Sequence, residues 1–120
     1  MSQPMDLIGH SFGATVALRL AVENPEMVRS LTLIEPVFFA AARAPHPERL
    51  AAYDADLEEL DHALAAHDYE TAARAFNRTW GDGSKWYDIP QTTRDYMVAR
   101  MMLVNACAPT IYQDTANLLP

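Results

Sequence analysis

Basic residues are scarce in this sequence. Lysine and arginine number 9 against 16 aspartates and glutamates, so the net charge at pH 7 is -7 and the pI is about 4.8. Binding to nucleic acid or to an anionic membrane surface requires a concentration of positive charge. The composition therefore argues against both kinds of partner.

Cysteine and long hydrophobic runs are also nearly absent. Cys107 is the single cysteine, so no disulfide can form within the chain. The longest apolar stretch, residues 31–42, is interrupted by Glu35 and Pro36 and is far shorter than the ~20 residues that span a bilayer. Residues 1–6 have neither the basic nor the apolar segment of a signal peptide. We therefore expect a cytoplasmic protein.

The first third of the chain has the pattern of a strand, a helix and a second strand. Residues 5–9 (MDLIG) predict the first strand, and residues 30–35 (SLTLIE) predict the second. Small apolar residues at helical spacing lie between them, and Pro25 ends that helix. A strand–helix–strand unit of this length predicts two parallel strands joined by a right-handed crossover. Both strands would have an open edge, at which we expect self-association.

The rest of the chain has helical patterns only. We predict helices over residues 48–68, 69–80, 90–108 and 109–118, the third opened by Pro90 and the fourth by Pro109. A proline-rich linker and a change of composition at residue 44 suggest two parts, residues 1–43 and 44–120. The predicted fold class is α/β, with one parallel βαβ unit followed by an all-helical segment.

A G-x-S-x-G motif stands between the first strand and the helix. Gly9-His10-Ser11-Phe12-Gly13 has the spacing of a nucleophile elbow, a tight turn that projects the serine hydroxyl away from the backbone. The flanking glycines are expected to give room across that turn. The backbone N–H of Phe12, at the start of the helix, is the predicted donor to an oxyanion.

The segment LIGHSFGA followed by LRLAVENPEMVRSLTLIEP resembles the central part of the α/β-hydrolase fold superfamily. The resemblance implies a nucleophile strand, the elbow, the next helix and the next strand, followed by an inserted helical cap. A serine at the elbow implies acyl transfer on a small-molecule ester, amide or carbon–carbon bond beside a carbonyl. It implies no cofactor and no metal.

The resemblance also implies that the chain lacks part of the catalytic set. In this family the histidine and usually the acid follow the cap, and a second oxyanion donor precedes the nucleophile strand. The chain is therefore expected to be a central fragment. Glu35, at the end of the second strand, is either the acid of the triad or an acceptor that anchors a loop. His10 is expected beside the site rather than on the serine, and His62 and His67 are expected on one helix as surface residues.

Several aromatic side chains are candidates for lining a substrate pocket. Phe38 and Phe39 follow the second strand, and they are either pocket residues or core residues. Trp80 and Trp86, with Tyr87, flank the turn at residues 81–84. The predicted function is that of a serine hydrolase with Ser11 as nucleophile. The alternative is an inactive truncated hydrolase, or a helical interaction module that retains the elbow as a scaffold.

Overall fold

The computed structural model describes residues 3–43 and 45–120. Two strands and six helices follow in the order β1 (Met5–His10), α1 (Phe12–Glu23), β2 (Val28–Ile34), α2 (Ala40–Arg43), α3 (Pro47–Ala65), α4 (Tyr69–Trp80), α5 (Gln91–Val98) and α6 (Met101–Gln113). Short 3₁₀ helices cover Pro25–Met27 and Trp86–Asp88. The predicted fold class, a βαβ unit followed by helices, is confirmed.

The strands β1 and β2 form a parallel two-stranded sheet. The register pairs Asp6 with Ser30 and His10 with Ile34, after an irregularity between Met5 and Asp6. Helix α1 packs on both strands. On the strands, Leu7, Leu31 and Leu33 are half-buried and alternate with exposed Ile8, Thr32 and Ile34. This alternation shows that one face of the sheet is covered and the other is open.

The amino-terminal ends of the strands are joined by side chains. The Arg29 guanidinium pairs with the Asp6 carboxylate, and its Nε donates to Asp6 Oδ1 at 2.8 Å. The Ser30 hydroxyl donates to the same oxygen at 2.7 Å. These hydrogen bonds hold the pKa of Asp6 below its usual value, the Arg29 bond contributing most.

The chain divides into two compact units. One comprises Met1–Pro45 together with Pro109–Pro120, and the other comprises His46–Ala108. In the first unit, Phe38, Ala40 and Leu118 form a buried cluster on which Leu18 and Ala116 pack. In the second unit, α3 and α4 pack together. Their buried side chains are Leu50, Leu57, Leu60, Ala63, Leu64, Ala72, Ala73 and Ala75.

The helix boundaries differ from the prediction in two places. Helix α3 ends at Ala65, and His67 lies in the turn after it with a φ of 55°. The prediction that His62 and His67 lie on one helix is therefore wrong. Asp68 then caps α4, because its side chain accepts a hydrogen bond from Thr71 N–H at 3.1 Å. The predicted helix over 90–108 is broken at residues 99–100, and Pro109 lies inside α6 rather than at the start of a fourth helix.

Candidate active site

Ser11 occupies the junction of β1 and α1 in a strained backbone conformation. Its φ is 54° and its ψ is -125°, and it is the residue immediately before the first turn of α1. A non-glycine residue with positive φ is uncommon and costs free energy unless its surroundings hold it. Here the Ser11 N–H donates to Ile34 O at 2.9 Å, and Ser11 O accepts from Ala14 N–H at 3.0 Å. The expected strained turn is therefore present, with the serine fixed to the neighbouring strand.

Gly9 is required by the close approach of helix α1. A Cβ at this position would lie 2.5 Å from Ala14 Cα and 2.6 Å from Gly13 O, both backbone atoms. The expectation that the glycines give room is thus confirmed at Gly9. At Gly13 it is wrong, because a Cβ there would meet no atom within 4 Å in the described structure.

The N-terminus of α1 provides a free hydrogen-bond donor beside the serine. The first N–H groups of an α-helix have no partner within the helix. Among residues 3–43 and 45–120, the Phe12 N–H donates to no acceptor, whereas the Ala14 N–H is used by Ser11 O. An N–H placed directly after the serine and at the positive end of a helix can stabilise negative charge on an oxygen attached to the serine adduct.

His10 and Glu35 face each other at the carboxyl ends of the two strands. Nε2 of His10 lies 3.6 Å from Oε2 of Glu35, and both side chains are largely exposed. Glu35 has a φ of 47°, so the chain turns sharply on leaving β2 as it does on leaving β1. In the described part of the chain, the Ser11 hydroxyl makes no hydrogen bond to either of them. The arrangement places a histidine and a carboxylate near Ser11 at the carboxyl ends of the strands. Neither forms a hydrogen bond with the serine hydroxyl.

The predicted aromatic residues lie in different surroundings. Phe38 is buried in the core cluster of the first unit, which favours the packing alternative for it. Phe39 is half-buried and stacks on Tyr112, with ring centroids 5.2 Å apart. Trp80, which contacts the Phe76 ring, and buried Trp86 belong to the second unit, whereas Ser11 belongs to the first. A role of these four residues in substrate binding stays a prediction.

Thr15 is a residue of this region that the sequence did not single out. Its side chain is 3% exposed, and its hydroxyl donates to Val37 O at 3.0 Å. The bond fixes the segment that follows β2 to the second turn of α1. The only signal in the sequence is a hydroxyl on the small-residue face of a helix, which does not identify its partner.

The comparison with known proteins agrees with this geometry. The model of the alpha/beta hydrolase family matches residues 2–118. The chain belongs to the alpha/beta hydrolase family. Its elements β1, α1 and β2 form part of the α/β-hydrolase fold.

Two curated relatives are hydrolases by name. N-formylmaleamate deformylase of Pseudomonas putida (strain KT2440) is 30% identical over 76 residues, which are 63% of this chain and 27% of that protein. Lipase LipV of Mycobacterium tuberculosis (strain H37Rv) is 34% identical over 83 residues, which are 66% of this chain and 28% of that protein. The chain thus spans little more than a quarter of the length of these relatives. No solved structure matches it significantly.

Two kinds of feature are absent from the part of the chain that the structure describes. It contains no group of three or more histidine, cysteine or acidic residues placed to hold a metal ion. None of its helices is long and apolar enough to cross a membrane.

Proposed function

We propose that Ser11 is the nucleophile of a serine hydrolase that acts on a small-molecule carbonyl compound. The positive φ of Ser11 at a strand–helix junction is the observation that carries the proposal. In the reaction, Ser11 Oγ bonds to the carbonyl carbon and loses its proton to a base. The carbonyl oxygen becomes an oxyanion that the Phe12 N–H stabilises. The leaving group departs with a proton, and water then hydrolyses the acyl-serine.

In this proposal the base is a histidine. None of the described histidines forms a hydrogen bond with the Ser11 hydroxyl. No described residue accepts a hydrogen bond from the Ser11 hydroxyl, so the serine has no activating group in the described part of the chain. We propose that the base and the second oxyanion donor belong to the complete catalytic assembly. Glu35 retains two roles, the triad acid or the anchor of a loop, and its contact with His10 supports the second.

The names of the two relatives support acyl substrates without choosing among them. One is a deformylase and the other a lipase. We accordingly propose an ester, an amide or a carbon–carbon bond beside a carbonyl as the bond that is cleaved. In this proposal residues 44–120 serve as the cap, and no cofactor takes part. We also propose that the protein acts in the cytoplasm, because its single cysteine forms no disulfide within the chain.

A fluorophosphonate probe tests the nucleophile directly. The full chain is incubated with the probe, and the peptide that contains residue 11 is analysed by mass spectrometry. Because no described residue activates Ser11, we expect adduct to form slowly, but on Ser11, with none in Ser11→Ala and unchanged labelling in the control Ser84→Ala. Adduct formation on several serines at equal rates would contradict the proposal, since only a serine at the elbow has an adjacent oxyanion donor.

The second candidate function is that of an inactive hydrolase or a helical interaction module that keeps the elbow as a scaffold. The unengaged hydroxyl of Ser11 favours it. Loss of a triad member typically lowers the rate by several orders of magnitude. We therefore expect the isolated chain to show little Ser11-dependent hydrolysis of p-nitrophenyl acetate. Failure of the probe to label Ser11 in the folded chain would support this second candidate.

A further inference from the structure

The guanidinium of Arg94 is held between two aromatic rings in the second unit. Its Cζ lies 6.0 Å from the centroid of the Trp86 ring and 5.6 Å from that of the Tyr87 ring. Trp86 is buried at 7% exposure, whereas Tyr87 is 74% exposed. The Arg94 guanidinium therefore contacts one buried ring, Trp86, and one exposed ring, Tyr87. Such contacts fix the position of a guanidinium without neutralising its charge.

The charge of Arg94 is not balanced by a carboxylate in the described structure. Its Nη2 donates to the neutral amide oxygen of Gln91 at 2.7 Å. The carboxylate of neighbouring Asp95 accepts instead from Gln91 Nε2, also at 2.7 Å. Other arginines of this chain do have carboxylate partners; these are Arg19, Arg29, Arg74 and Arg78. An unpaired arginine is unexpected in a chain with nearly twice as many acidic as basic residues.

The Nε–H of Arg94 is shielded from solvent and has no hydrogen-bond partner among the described residues. Buried polar groups in native proteins are nearly always paired, so each exception requires an explanation. A guanidinium presents five N–H donors in a planar fork that matches the two oxygens of a carboxylate. The missing partner of this fork is thus best supplied by an anionic group of planar shape.

We propose that Arg94, Trp86 and Tyr87 form a binding site for the carboxylate group of a small molecule. The carboxylate binds on the Nη1 side of the Arg94 guanidinium, because the Nε–H is closed to solvent and Nη2 already donates to Gln91. An apolar or aromatic part of the same molecule lies against the exposed Tyr87 ring. The site lies wholly in the second unit. It goes beyond the proposed hydrolase function and does not depend on Ser11 being the nucleophile.

Benzoate and benzamide form a matched pair of probes, since they share shape and differ in charge. Binding to the full 120-residue chain is followed by calorimetry and by the NMR resonance of the Arg94 Nε–H. We expect benzoate to bind in the millimolar range and benzamide to bind ~10-fold more weakly or worse, as a charge-assisted hydrogen bond predicts. Benzoate should shift the Nε–H resonance and benzamide should not.

Variants localise the effect. Arg94→Gln should weaken benzoate binding by at least ~10-fold, and Arg94→Lys should weaken it less, because the charge remains and the fork is lost. Arg100→Gln is the control: Arg100 also lies over a tyrosine ring, 3.3 Å from the Tyr96 centroid, and should be replaceable without loss. Equal affinity for the two probes, absence of benzoate binding, or undiminished binding in Arg94→Gln would each overturn the proposal. The comparison of probes on the unmutated chain decides it even where a variant fails to fold.

Discussion

Gly9 and Gly13 are the two glycines of the elbow motif, but their surroundings differ. The space beside Gly9 is filled by backbone atoms of α1, whereas the space beside Gly13 is empty. Gly9 is therefore needed for the turn to exist in this chain. Gly13 has no such structural requirement in the described part of the chain.

Replacement of these glycines separates the two requirements. We expect Gly9→Ala to lower the free energy of unfolding by about 1–3 kcal/mol, because a Cβ would be forced against the Ala14 backbone. Gly13→Ala, in the first turn of α1, should be neutral or stabilising by up to about 1 kcal/mol, since alanine is the better helix former. Urea denaturation followed by circular dichroism measures both. Similar losses in the two variants would show that the open space at Gly13 is closed in solution.

The spacing of G-x-S-x-G was sufficient to predict where Ser11 lies and that its backbone would be strained. The contact between His10 and Glu35 could not be predicted in the same way. It depends on the register that places His10 opposite Ile34, and a sequence read in one dimension does not give register. Arg94 was missed for a similar reason, because its significance comes from a missing partner rather than from a motif.

The buried side chain of Thr15 links helix α1 to the segment after β2 by a hydrogen bond. Its hydroxyl donates to Val37 O, and the hydrogen bond is partly buried. Loss of that donor leaves the Val37 carbonyl without its partner in a place that water reaches only in part. Because residues 38–40 follow directly, the bond also fixes the position of the Phe38 cluster relative to the helix.

We expect Thr15→Val to lower the free energy of unfolding by about 1–3 kcal/mol, the cost of a buried acceptor without a donor. Thr79→Val is the matched control. The Thr79 hydroxyl donates to Ala75 O in its own helix at 3.2 Å, and that oxygen already lies in the helical hydrogen-bond ladder. Thr79→Val should therefore lower the free energy of unfolding much less than Thr15→Val does. Equal effects in denaturant melts would mean that the Thr15 bond is replaced by water.

The turn between α3 and α4 depends on the carboxylate of Asp68. Its hydrogen bonds to Thr71 lower the pKa of Asp68, so the ionised form stabilises the folded state. That contribution is present above the unfolded pKa of about 4 and is lost as pH falls through the lower folded value. Asp68→Ala should thus reduce the melting temperature at pH 7, and the difference from the unmutated chain should shrink at acid pH. Asp68→Asn, which keeps a capping oxygen, should melt close to the unmutated chain.

Two helix ends show what sequence patterns miss. The break at residues 99–100 contains neither glycine nor proline, and its turn is closed by backbone bonds such as Arg100 N–H to Met97 O at 3.0 Å. Pro109, in contrast, is a strong breaker in the sequence but lies inside α6. Local propensity predicted both positions wrongly because helix ends here follow packing rather than composition. The helix over residues 69–80 was predicted correctly, and in the structure Asp68 and Gly81 are its cap residues.

The open face of the sheet exposes apolar side chains of the first unit to solvent. Ile8 is 73% exposed and Ile34 is 46% exposed, and both strands have one unpaired edge. Exposed apolar area costs about 25 cal/mol for each Å², and open edges are templates for further strands. We propose that this sheet associates with further strands, and in isolation with those of a second copy.

We therefore expect the chain alone to elute from size-exclusion chromatography as an oligomer. Ile8→Lys places a charge on the open face and should shift the protein towards the monomer. Leu103→Lys is the control, at a leucine of α6 that is 58% exposed, and it should cause no such shift. A monodisperse monomer would show that the sheet is satisfied within the chain.

The hydrogen bond from the Ser11 amide to Ile34 O positions Ser11, and it must break before the turn at Ser11 can open. The amide proton of Ser11 can exchange with solvent deuterium only when the end of β1 separates from the end of β2. Its exchange rate therefore reports the free energy of that opening. While the amide is protected, the serine cannot relax to an ordinary backbone conformation. One resonance thus measures how strongly the strained conformation of Ser11 is favoured over the opened one.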